Sequence, residues 1–61
     1  MSLPKDPFML LSYVNTQLRD NYQSLEELCA SLGVNEDEIV SALANAGFSY
    51  DEGLNRFTAA N

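Results

Sequence analysis

The sequence predicts a mainly α fold: a small three-helix bundle with a helix-turn-helix-like corner and a short C-terminal β-hairpin. Three observations carry this. Capping residues stand at Asp6-Pro7, Ser24 and Asn35, each ahead of a run whose apolar residues recur at helical spacing. Gly33 and Gly47 close the second and third of those runs. The tail from Phe48 to Phe57 then changes character, with three aromatics among ten residues around Gly53.

Residues 1–5 are expected to be a flexible arm, because Pro4 and Pro7 discourage regular structure around them. At Asp6-Pro7 the carboxylate can accept bonds from free N–H groups, and proline suits the first helical position. The first helix is expected over 7–22. At 3.6 residues per turn, Leu10, Leu11, Val14, Leu18 and Tyr22 share an arc of about 120°, with Phe8 at its edge. Met9 and Tyr13 fall outside that arc, one turn apart. Either the C-terminal rings of Phe48, Tyr50 and Phe57 cover them, which is the expectation here, or another chain does. Asn15 sits beside the stripe, where an unpaired amide would cost about 1–3 kcal/mol, so it should bond a neighbouring backbone group.

The second helix is expected over 24–32. Ser24-Leu25-Glu26-Glu27 fits a capping box, and Leu25, Leu28 and Leu32 face the core. The third is expected over 35–46. Its opening, Asn35-Glu36-Asp37-Glu38, supplies a cap and three carboxylates that complement the positive end of the helix dipole. Ile39, Ala42, Leu43 and Ala46 form its inner stripe. For the tail, a hairpin over 48–58 places Phe48 and Tyr50 on one strand, a turn at Asp51-Glu52-Gly53, and Asn55 and Phe57 on the other strand. The alternative is a fourth helix, capped by Ser49 and striped by Tyr50, Leu54 and Phe57. Gly53 counts against it.

Length sets further bounds. Sixty-one residues make one domain, 1–61, with a thin core. Cys29 is the only cysteine, so no intrachain disulfide can form. It has Glu26 and Glu27 nearby rather than a basic group that would activate a thiol. No run approaches the ~20 apolar residues that span a bilayer. The start, "MSLPKDPFMLL", lacks the features of a secretion signal, and with the free thiol this favours the cytoplasm. Nine acidic residues face three basic ones, Lys5, Arg19 and Arg56, for a net charge of −6. Such a surface repels nucleic acid and anionic membranes.

The corner from Leu25 to Ala46 resembles a helix-turn-helix, with Cys29 at the small position, Gly33 at the turn, and Val34 and Ile39 as apolar anchors. The outward residues of its second helix are Asn35, Glu36, Asp37, Val40, Ser41 and Ala44. A DNA reader needs Arg or Lys for phosphates and Arg, Asn or Gln for base edges, and only Asn35 qualifies. No nucleic acid is therefore expected as partner. Catalysis is not expected either. The chain has no histidine, no phosphate-cradling glycine loop and no length for a deep pocket. No cofactor or metal is expected.

The stretches "LPKDPFMLLSYVNTQLRDNY", "LEELC" and "GFSYDEGLNRF", together with the Tyr50…Asn55…Phe57 spacing, resemble a family of short bacterial proteins classed as a domain of unknown function, number four-two-five-zero. The resemblance implies a bacterial, non-secreted protein and assigns no activity to any position. The stretch "IVSALANAGFSYDEGLNRFTAAN" also resembles the first two helices of a ubiquitin-associated domain, with Gly47-Phe48 as the joining loop. It lacks the methionine usual before that glycine and has no third helix. The expected role is a non-catalytic protein-interaction module, a homodimer or an adaptor, touching its partner through Met9, Tyr13, Val40 and Ala44. The alternatives are a degenerate helix-turn-helix that reads nucleic acid with a basic partner chain, and a ubiquitin-associated-like helical binding domain.

Overall fold

Side-chain caps fix where this chain becomes helical. The computed structural model describes residues 3–60. Asp6 accepts from the N–H groups of Phe8 at 2.8 Å and Met9 at 3.2 Å, and Pro7 opens α1, Pro7–Asp20. The helix ends two residues before the expected limit of 22. The Gln17 carbonyl takes the N–H groups of both Asn21 and Tyr22, so the regular ladder stops and the Leu18 carbonyl is left for another partner.

Ser24 Oγ accepts from the Glu27 N–H at 3.1 Å and starts α2, Leu25–Leu32. Gly33 ends it in the left-handed conformation, φ 69°, and the Val34 N–H folds back onto the Cys29 carbonyl at 3.0 Å. After this short turn Asn35 Oδ1 accepts from the Asp37 N–H at 2.8 Å, beginning α3, Glu36–Asn45.

Gly47, φ 91°, then turns the chain into a two-stranded antiparallel sheet, β1, Phe48–Asp51, and β2, Arg56–Ala59. Phe48 pairs with Ala59 and Asp51 with Arg56. The tail is thus a hairpin and not a fourth helix. Its turn sits later than expected: Asp51 belongs to the first strand, Glu52–Asn55 make the turn, and Asn55 takes φ 53° instead of lying in the second strand. Asx bonding explains the shift, because Asp51 Oδ1 accepts from the Leu54 N–H at 3.2 Å and shapes the loop from its first side.

The core draws on every helix and on β2. Leu10, Val14 and Leu18 meet Leu25, Leu28 and Cys29, then Ile39 and Leu43, with Phe57 closing the end. Of the arm expected over 1–5, Met1 and Ser2 lie outside the described residues, and Leu3 packs against this core. Phe8, expected at the stripe's edge, is 64% exposed and meets the Phe48 ring edge-on at 6.1 Å between centroids.

Candidate functional site

Polar side chains in so small a domain are either at work inside it or open to a partner, and the hydrogen bonds separate the two groups. Asn55 is at the centre of the first. Its Nδ2 donates to the Leu18 carbonyl at 3.1 Å and to the Tyr22 carbonyl at 3.0 Å, which satisfies the end of α1. Its Oδ1 accepts from the Tyr50 hydroxyl at 2.6 Å. That hydroxyl also takes the Leu25 N–H, at 3.3 Å, the first helical donor of α2. One turn residue and one strand residue therefore tie both sides of the α1–α2 connection to the hairpin. Tyr22 adds a bond between its hydroxyl and Ser31 at 3.0 Å.

Asn15 holds the other end of the joint. Its Nδ2 donates to the Phe57 carbonyl at 3.1 Å, and its Oδ1 accepts from the Phe57 N–H at 2.8 Å. The amide pairs with β2 as a neighbouring strand residue would, meeting the expectation that it bonds a backbone group. Asn15, Tyr50, Asn55 and Phe57 all belong to the stretches that carry the family resemblance, and in this structure each is occupied with packing or joining. Spacing gave no hint of the joint, since its partners lie up to 42 residues apart.

The expected contact residues divide. Met9 is 63% exposed, Val40 is 36% exposed, and Ala44 is exposed one turn beyond it on α3. Tyr13 is half-buried against the core. Phe48 meets Phe8, and Phe57 meets Asn15, on a flank of α1 about 150° away from Tyr13 at 3.6 residues per turn. Phe8, which the sequence placed at the core's edge, instead stands beside Met9 as an exposed apolar group.

Cys29 is buried, and burial, followed by the Glu36 carboxylate, pushes its thiol above the usual range. Protonated and enclosed, it serves as a small apolar side chain. Arg19 and Asp20 form a two-pronged ion pair at 2.9 and 3.0 Å. The pair's hydrogen bonds lower the Asp20 pKa and raise that of Arg19, although both side chains are largely in water. Glu26, Glu36 and Glu52, from three elements, surround a shallow hollow beside Tyr50. No group of three or more His, Cys, Asp or Glu among the described residues is placed to hold a metal ion. Nor is any helix among them long and apolar enough to cross a membrane.

A family model described as a domain of unknown function, DUF4250, matches residues 4–57. No curated protein and no solved structure matches the chain.

Proposed function

The chain belongs to the DUF4250 family, and we propose that it is a non-catalytic protein-interaction module of the bacterial cytoplasm, acting as a homodimer or an adaptor. The observation that carries this reading is the pair Phe8 and Met9, 64% and 63% exposed side by side at the start of α1. A chain of this size has few large apolar groups, and two of them stand in water, Phe8 against the half-buried Phe48. Exposed apolar groups gathered in one place mark contact surfaces better than scattered ones do. Val40 and Ala44 offer a second, flatter strip on α3, where small side chains permit close approach. Tyr13, half-buried one turn from Met9, supports that side of α1 rather than leading the contact.

The polar side chains support the same reading. Asn15, Tyr50 and Asn55 spend their bonding capacity on the fold, and a protonated buried thiol is a poor nucleophile. A net charge of −6 disfavours nucleic acid as a partner.

Met9→Ser tests the reading. In sedimentation equilibrium and in pull-downs from the native cell, it should weaken self-association or partner capture about tenfold, as loss of a contact anchor does. Its melting temperature should stay with the parent's, because Met9 is exposed. Unchanged association in both assays overturns the assignment. Duplex DNA binding that falls steeply between low and moderate salt would instead establish the helix-turn-helix alternative.

A further inference from the structure

The chain has three cationic side chains, and two of them, Arg19 and Arg56, line the same groove. The groove, about 580 Å³, runs between α1, from Ser12 to Arg19, and the turn of the hairpin. Ser12 and Thr16 form one wall, and Leu54, 57% exposed, forms the opposite lip. Asn15 and Asn55 also line it, and their amides are fixed by the bonds that join α1 to the hairpin. None of the described residues lining it is acidic, although acidic residues outnumber basic ones three to one in this chain. Asp20 shares the charge of Arg19 from outside.

We propose that this groove receives a carboxylate-bearing, leucine-like segment of a partner protein. The proposal rests on the interaction reading and gives it a second, chemically distinct surface. The charge pattern selects the occupant. Arg56 presents a guanidinium fork, and Arg19, whose Nε and Nη2 already hold Asp20, keeps its Nη1 side for a second contact, a geometry suited to planar carboxylates, while the overall negative charge repels a long polyanion such as nucleic acid from a distance. Leu54 selects further. Exposed arginines in water hold a lone anion weakly, so useful affinity needs a ligand that also covers the apolar lip. The hydroxyls of Ser12 and Thr16 can complete the binding of backbone groups along α1.

The test is an amide-resolved NMR titration of the whole chain with acetyl-Glu-Leu-Asp-Leu-Glu-amide. The controls are the same peptide with Gln and Asn in place of its acids, and inorganic phosphate. The acidic peptide should saturate shifts at Ser12, Thr16, Arg19, Leu54 and Arg56, with affinity falling as salt rises. The neutral peptide should bind about tenfold more weakly, as should the acidic peptide to an Arg19→Gln/Arg56→Gln chain, whose exposed changes leave the fold intact. Three results overturn the proposal: no groove shifts, equal binding of the neutral peptide, or equal shifts with phosphate alone, which would make this a simple anion site. If the groove stays silent while Met9→Ser still weakens association, the groove assignment falls and the interaction reading stands. If neither responds, both fall.

Discussion

Asn55 combines two properties that separate under mutation. Its φ of 53° lies in the left-handed region, where asparagine is tolerated better than most residues, and its amide bonds three groups, one each on α1, the turn after it and β1. Asn55→Gly keeps the backbone comfortable and removes the amide. Leaving two carbonyls and the Tyr50 hydroxyl short of partners should cost about 2–3 kcal/mol, read as a lower urea midpoint. Asn55→Ala should cost about 1 kcal/mol more, because alanine adds the left-handed penalty. Equal losses would mean that the backbone is unstrained there. Cys29 makes a different prediction. Its folded pKa is raised, so its contribution to stability is complete below the ordinary thiol range and is lost as pH rises above it. A disulfide reagent at pH 8 should therefore modify the unfolded chain readily and the native chain far more slowly. Comparable rates would place the thiol at the surface.

At the scale of elements, α1 and β2 depend on one side chain. A two-stranded sheet has two open edges, and Asn15 occupies the edge of β2 at Phe57. Asn15→Ala should cost about 1–3 kcal/mol, and hydrogen exchange at the Phe57 amide should accelerate more than at Leu28 in the core. If the Phe57 amide keeps its protection, packing alone holds the hairpin. The contrast between Asn15 and the helix caps shows what the sequence can disclose. Asp6, Ser24 and Asn35 act on groups two or three residues away, so their meaning lies in the local string. Gly33 is legible for the same reason. The turn falls later than the spacing predicts, because Asp51 bonds the Leu54 N–H and Asn55 answers to carbonyls 33 and 37 residues away. Phe8 lies at the edge of the stripe by its angle on the helix. Its exposure follows from where the hairpin docks, which no single-helix pattern contains. The groove shared by Arg19 and Arg56 was hidden likewise, since only the hairpin's return brings these residues together.

The whole molecule measures 28 × 26 × 17 Å, and its shortest dimension leaves room for little more than one layer of helices with the hairpin against it. Each element therefore has only one neighbour layer to bury against, and the loss of any element should be felt throughout. The hairpin makes the sharpest case. Were the hairpin only an accessory, residues 1–46 could stand alone. The structure argues otherwise. Phe57, 3% exposed, is part of the core formed by the three helices, and a large aromatic in such a place is worth about 3–5 kcal/mol when truncated. That alone rivals the net stability expected of so short a chain. Removing the hairpin would also leave Asn15 without its backbone partners, the Leu18 and Tyr22 carbonyls without the Asn55 amide, and the Leu25 N–H without the Tyr50 hydroxyl. A chain ending at Ala46 should consequently be mostly unfolded at 25 °C, with far-ultraviolet circular dichroism showing a small helical signal and no cooperative melt. The full chain should melt in one transition, with helix ellipticity and tyrosine fluorescence changing together. A cooperative transition in the truncated chain would make the hairpin an accessory and return the fold to a free-standing helical bundle.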